Sequence, residues 1–159
     1  YLEMCQKRHV FFMAKAELFS KKIGAWFFGK QLGAFPVKRG AGDTGAIDRA
    51  REIVNSGRLL GIFPEGTRSR DGQLGRAKSG TALIASQTGA AVIPVAIKTK
   101  GQKVRPFQKT FLLIGPALTL EELHLDNPEH PDLRYASRKL MEVIGEMLER
   151  TVTGQEEKA

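Results

Sequence analysis

The residues best suited to chemistry stand together in Phe63-Pro64-Glu65-Gly66-Thr67-Arg68-Ser69. This stretch closes an apolar run, Leu59-Leu60-Gly61-Ile62-Phe63, that reads as a buried strand. Pro64 has no N–H and ends strand pairing. Glu65 brings a carboxylate and Gly66 allows a close backbone approach. Thr67 and Ser69 carry hydroxyls, and Arg68 carries a planar fork of donors suited to phosphate. Arg70, Asp71, Gly72, Gly75, Arg76 and Lys78 extend the polar loop. Ligands of open α/β sheets bind beyond the carboxyl ends of the strands, so a strand ending this way points to a site for a polar anion. A glycine turn with a solvated arginine is the plainer reading of a shorter loop.

The elements around this loop alternate. Val10–Ala14 reads as a strand with Lys15 at its exit, and Ala34–Val37 as another. A helix is expected over about 43–56, capped by Asp43 or Thr44, striped by Ile47, Ala50, Ile53 and Val54, and ended by Gly57. A second helix is expected over about 78–88, stopped at Gly89. Ala91–Ile97 is expected as a strand with Pro94 at an edge, bulge or end, and Phe111–Gly115 as a further strand. Residues 98–108 read as a basic, polar connection. Thr119 with Glu122 spells a capping box for a short helix. Asp132–Arg150 is amphipathic through Leu133, Ala136, Leu140, Val143, Ile144, Met147 and Leu148. The expectation is a single α/β domain over 1–150, with a mixed sheet of about five or more strands flanked by helices and the 59–63 strand at its centre. A polar tail is expected over 151–159.

Bulk properties narrow the function classes. The 159 residues carry 25 Lys+Arg against 17 Asp+Glu, a net charge of +8. That favours phosphorylated metabolites, acidic lipid head groups or nucleic acid. The single cysteine, Cys5, excludes an internal disulfide and fits a reducing compartment. No run reaches the length of a membrane span, and no signal peptide is visible. Residues 20–33 place Trp26, Phe27 and Phe28 between lysines, which suits either a bilayer surface or a core-packing helix.

Three other patterns compete. Gly24-x4-Gly29-Lys30 has a phosphate-loop skeleton, but Gln31 replaces the magnesium-binding hydroxyl. Gly40-x-Gly42-x-x-Gly45 has dinucleotide spacing, with Glu65 twenty residues further on. Its preceding strand is short and broken by Pro36, and Lys38 and Arg39 stand where a buried strand normally continues. His124, Asp126, His130 and Asp132 could gather a metal, although Pro128 and Pro131 favour a solvated turn.

Four blocks in order carry a resemblance. Phe12-Met13-Ala14-Lys15-Ala16-Glu17-Leu18-Phe19, Gly33-Ala34-Phe35-Pro36-Val37-Lys38-Arg39-Gly40, Phe63–Ser69 and Val92-Ile93-Pro94-Val95-Ala96-Ile97 resemble the glycerolipid acyltransferases, the 1-acyl-glycerol-3-phosphate acyltransferase family. The agreement in order and spacing runs from about Val10 to Ile97.

The resemblance implies transfer of a fatty acyl group from a thioester to the free hydroxyl of lysophosphatidic acid, giving phosphatidic acid. It implies no bound cofactor and no metal, and an acyl-coenzyme A or acyl-carrier-protein donor. It also implies an anionic membrane surface at the cytoplasmic face, and no nucleic acid. Lys15 and Arg68 would hold the acceptor's phosphate, and Arg39 would add a second cation. Glu65 would orient an arginine or accept from a glycerol hydroxyl, while Gly66 and Thr67 would donate hydrogen bonds. The family's base is a histidine five residues before an aspartate, since a high-pKa hydroxyl needs a base that titrates near neutrality. No histidine here has that partner: His9 is followed at that offset by Ala14, His124 by Glu129 and His130 by Tyr135. The expectation is therefore a chain that begins, at Tyr1 rather than Met, just after the catalytic block and retains the acceptor-binding half. A non-catalytic phospholipid- or dinucleotide-binding module is the alternative.

Overall fold

The structure is a computed structural model that describes residues 9–16, 33–37, 44–66, 74–99 and 110–149. Its elements are β1 (Val10–Lys15), β2 (Ala34–Val37), α1 (Thr44–Asn55), β3 (Leu59–Gly61), α2 (Gly80–Thr88), β4 (Val95–Thr99), β5 (Thr110–Ile114) and α3 (Leu133–Glu149). The expected α/β class is what is observed, with both parallel and antiparallel pairing among five strands.

The first three strands form a parallel sheet in the order β2-β1-β3. Phe12 lies opposite Ala34 and Lys15 opposite Val37 on one side of β1. Val10 lies opposite Leu59 and Phe12 opposite Gly61 on the other. Parallel strands require crossovers, and α1 supplies the one that carries the chain from β2, past β1, to β3. Its buried stripe is Ala46, Ala50 and Ile53, and it packs on β3, β1 and α2. With no side chain beyond Cβ, Ala50 lets the helix sit close to the strands.

The sheet corrects one expectation. Among the described residues the central strand is β1, and β3 lies at the edge. Strand pairing of β3 also stops at Gly61 rather than Phe63. Beyond it Pro64 lacks a donor, and the Phe63 carbonyl accepts from the Gly66 N–H at 3.0 Å, so these groups serve a turn instead of a ladder.

The remaining strands form a separate antiparallel pair, with Val95 opposite Ile114 and Thr99 opposite Thr110. Pro94 stands just before β4. Its carbonyl accepts from Gly115 at 2.9 Å, while Val92 and Leu118 exchange both backbone bonds. The inner face of β4 packs on α3, where Ala96, Leu118, Leu123, Leu125, Ala136, Leu140, Ile144 and Met147 form one buried cluster with Ala82 and Ala85 of α2. Lys98 donates from Nζ to the Leu148 carbonyl at 2.9 Å, satisfying one of the orphan acceptors at the end of α3. At the other end Asp132 accepts from the Tyr135 N–H at 2.8 Å as an N-cap. Among the described residues no helix is long and apolar enough to cross a membrane. The stretch at 20–33 and the tail from 151 lie outside the described residues.

The capping box forms as spelled, but it closes a single turn rather than a helix. The Thr119 N–H donates to Glu122 Oε2 at 2.7 Å, and the Glu122 N–H donates to Thr119 Oγ1 at 3.2 Å. The turn delivers Leu123 and Leu125 to the core on either side of His124, whose φ is 53°. The Thr119 backbone N–H, and after it the Thr119 side chain, hold the Glu122 carboxyl below its usual 4.5. A depressed carboxylate stabilises the fold above its unfolded value, and that contribution is lost as pH falls through the lower folded value. Thr119→Ala is expected to move the Glu122 titration part of the way back up, because the backbone donor remains. Carboxyl-detected NMR titration reads this directly, and an unmoved curve would mean that the box does not persist in solution.

Candidate functional site

Parallel pairing sets the geometry of the site. Lys15 ends β1 opposite Val37, the last residue of β2, and Gly61 of β3 lies opposite Phe12. The chain leaving all three strands therefore emerges at one edge of the sheet. Lys15 stands at that edge, Arg39 follows β2 by two residues, and Glu65 and Gly66 follow β3. Of the expected positions, the topology places Lys15, Glu65 and Gly66 toward the carboxyl edge, where such sheets take ligands. Arg39, Thr67 and Arg68, and the glycines Gly40 and Gly42, lie outside the described residues.

The exit of β3 is a tight turn. Gly66 donates back to the Phe63 carbonyl and has a φ of 67°, a left-handed conformation that side chains other than glycine's adopt at a cost. A second constraint reinforces the first. A Cβ on Gly66 would stand 3.1 Å from both Cδ and Cε of Lys78, whose stem crosses the glycine. The Glu65 carboxylate is engaged as well, since Oε2 accepts from the Gly75 N–H at 2.7 Å. Gly75 has no room for a side chain there, because a Cβ would lie 2.9 Å from that oxygen. The Lys78 N–H then donates to the Pro64 carbonyl at 2.8 Å. The loop thus leaves at Glu65–Gly66 and is fastened at Gly75 and Lys78 on its return.

An aromatic pair supports this exit. The Phe12 ring lies against Gly61, and Phe12 and Phe63 stack with centroids 6.4 Å apart and planes 25° apart. Phe63 remains 60% exposed, so an apolar surface borders the polar turn. Behind the loop base, a cavity of about 10 Å³ lined in part by Ala77, Lys78, Thr81 and Leu140 has room for no more than a water.

Sequence reasoning placed Gly75 and Lys78 in the polar loop but not their contacts with Glu65, Pro64 and Gly66, which are made across it. The one available signal was a cation twelve positions after Gly66 and immediately before a helix. The histidines sit elsewhere. His9 precedes β1, at the opposite edge of the sheet, and meets Phe11 edge-on. His124 stacks on Tyr135 at 4.0 Å, and His130 lies in the same loop. Among the described residues no three His, Cys, Asp or Glu side chains gather as metal ligands.

Residues 1–98 match the model of the Acyltransferase family. The chain belongs to the acyltransferase family. It is 35% identical over 97 residues to the chloroplastic 1-acyl-sn-glycerol-3-phosphate acyltransferase LPAT1 of Arabidopsis thaliana, covering 60% of this chain and 27% of that protein. The 1-acyl-sn-glycerol-3-phosphate acyltransferase of Bacillus subtilis is 34% identical over 125 residues, covering 76% of this chain and 60% of that protein. The chain thus spans between 27% and 60% of the length of these two relatives. The fold resembles that of PlsC, the 1-acyl-sn-glycerophosphate acyltransferase of Thermotoga maritima. The TM-score is 0.60 at 24% identity, over 91% of this chain and 59% of that one. The acyltransferase match contains the whole parallel sheet and the Glu65–Lys78 loop, while β5 and α3 lie beyond it.

The left-handed turn makes a direct prediction. Gly66→Ala adds a Cβ both to a left-handed residue and to the path of Lys78, and is expected to cost about 1–3 kcal/mol of stability. Denaturant unfolding measures it, and an unchanged midpoint would mean that the turn relaxes freely.

Proposed function

We propose that this chain supplies the acceptor-binding part of a 1-acylglycerol-3-phosphate O-acyltransferase, which makes phosphatidic acid from lysophosphatidic acid and an acyl thioester. The observation that supports the reading is the shared carboxyl edge, toward which β1 ends at Lys15 and β3 leads into the Glu65–Gly66 turn, in a chain of this family. Lys15, Arg39 and Arg68 hold the phosphate of the acceptor, with Thr67 as a hydrogen-bond donor around it; the single N–H of Gly66 is already given to the Phe63 carbonyl, so Gly66 serves by its bare backbone. Glu65 and phosphate are both anions, so Glu65 acts by shaping the loop through Gly75 rather than by touching the phosphate.

In the reaction a base takes the proton of the acceptor hydroxyl, and its oxygen attacks the thioester carbonyl. The C–O ester bond forms as the C–S bond breaks, and the thiolate leaves and takes up a proton. The donor is acyl-coenzyme A or an acyl carrier protein. No histidine in the 159 residues has an aspartate five positions later, so the base comes from outside this chain.

Activity tests the reading in two arms. The chain alone is expected to transfer no acyl group to lysophosphatidic acid above background, and a chimera that adds a His-x4-Asp block from the Bacillus subtilis relative is expected to turn over. In that chimera Arg68→Ala should weaken acceptor binding roughly ten- to hundredfold, the worth of a charge-assisted contact. Arg68→Lys should recover only part, because the ammonium keeps the charge without the fork. Robust transfer by the chain alone, or an unaltered acceptor affinity in Arg68→Ala, would overturn the assignment.

The membrane enters because both the acceptor and the acyl product reside there. A net charge of +8 and the Trp26-Phe27-Phe28 run between lysines support docking on an anionic, cytoplasm-facing bilayer. Binding to vesicles containing anionic lipid should fall as salt rises and fall again on replacing Trp26 and Phe27 by Ser. Indifference to lipid charge would remove the membrane from the proposal.

A further inference from the structure

The side chain laid across the turn is a cation with no partner assigned to it so far. The Lys78 backbone is pinned by its 2.8 Å bond to the Pro64 carbonyl. Its Cδ and Cε run over Gly66, and Nζ ends 3.4 Å from where a Gly66 Cβ would stand. An ammonium thereby lies beside the backbone at the carboxyl end of β3, on a residue that is exposed to solvent and open to a ligand.

Among the described residues no ion pair engages this ammonium. The nearest acid in the turn, Glu65, gives Oε2 to the Gly75 N–H. The ion pairs among the described residues are Arg49–Glu52, Arg51–Asp48 and Lys139–Glu142, none of which involves Lys78. Two residues later α2 begins, with no acidic residue in its first turn and no side-chain cap from Ser79. The positive end of the helix therefore adds to the field of the ammonium rather than cancelling it. An anion that entered over Gly66 would meet the ammonium beside the N-terminal end of α2.

We propose that Lys78 is a further phosphate-binding residue of the acceptor site, placed by the Pro64 carbonyl and by the bare backbone of Gly66. The inference rests on the acceptor-site reading above and adds a cation from outside the Phe63–Ser69 stretch. It favours anionic over neutral ligands, because an ammonium rewards charge with little demand for the planar geometry an arginine imposes.

Calorimetric titration of the 159-residue chain with a short-chain lysophosphatidic acid, and with the corresponding neutral monoacylglycerol, tests it. Lys78→Met keeps an unbranched stem over Gly66 and removes the charge. It is expected to weaken the phosphate-bearing ligand by about tenfold, the lower end for a charge-assisted bond, and to leave the neutral ligand unaffected. Lys78→Arg is expected to stay within about threefold of the wild type, since the charge is retained. If Arg68→Ala loses affinity and Lys78→Met does not, Lys78 is a bystander and only this proposal falls. If Lys78→Met weakens both ligands equally or lowers the melting temperature in step with affinity, its role is structural and this proposal again fails. If the wild-type chain distinguishes the two ligands not at all, the phosphate site itself is wrong and both readings fall.

Discussion

The feature on which the site depends is parallel hydrogen bonding on both sides of β1. Antiparallel neighbours would send successive chain exits to opposite edges. Here Val10 and Phe12 pair with Leu59 and Gly61 on one side, and Phe12 through Lys15 pair with Ala34 through Val37 on the other. Every exit therefore falls on the same edge. The cost is topological, since each parallel step needs a crossover. The buried alanines of α1 keep the second of these compact, and α2 then packs beside α1.

Holding an exit in place is a separate problem from aiming it. The chain between Gly66 and Gly75 makes a loop whose closure costs conformational entropy, although the cost grows only slowly with length. Three backbone donors work against that cost at its base: Gly66 to Phe63, Gly75 to Glu65 and Lys78 to Pro64. Each is local to the turn, and each relies on a residue with an unusual allowance. Gly66 accepts the left-handed conformation, Gly75 accepts a carboxylate where a Cβ would sit, and Pro64 offers a carbonyl without requiring a partner for an N–H. The loop can thus differ in length or composition between its fastening points without disturbing the strand end.

What the sequence made legible follows from how far each signal reaches. The amphipathic stripe and Asp132 located the last helix to within a residue at each end, Leu133–Glu149 against 132–150, because both signals act within one or two turns. Thr119 and Glu122 foretold their reciprocal bonds for the same reason. The place of Lys15 at a strand exit was equally local. Strand order was not legible: the apolar run at 59–63 looks more central than β1 but contributes only three paired residues at the edge of the described sheet. Nor was the engagement of Glu65 by Gly75, ten residues away, since nothing in a glycine's local sequence announces an acceptor.

That engagement also fixes where the acid's charge stands. The carboxylate keeps its negative charge when it accepts from an amide, so the bond sets its position without removing its field. Oε2 points its lone pairs at the Gly75 amide, so the acid is held by the returning strand of the loop. Lys78 arrives through the same return and lays its stem on the next residue, Gly66. Through that bond the acid fixes the return of the loop, and among the described residues it takes part in no ion pair. An alanine at position 65 would remove a repulsive charge and the fastening together. An aspartate would keep the charge but stop one methylene short of the amide. Glutamate alone among the acids has both the reach to secure Gly75 and the charge to make that bond strong, which explains its place between a proline that ends the strand and a glycine that turns it.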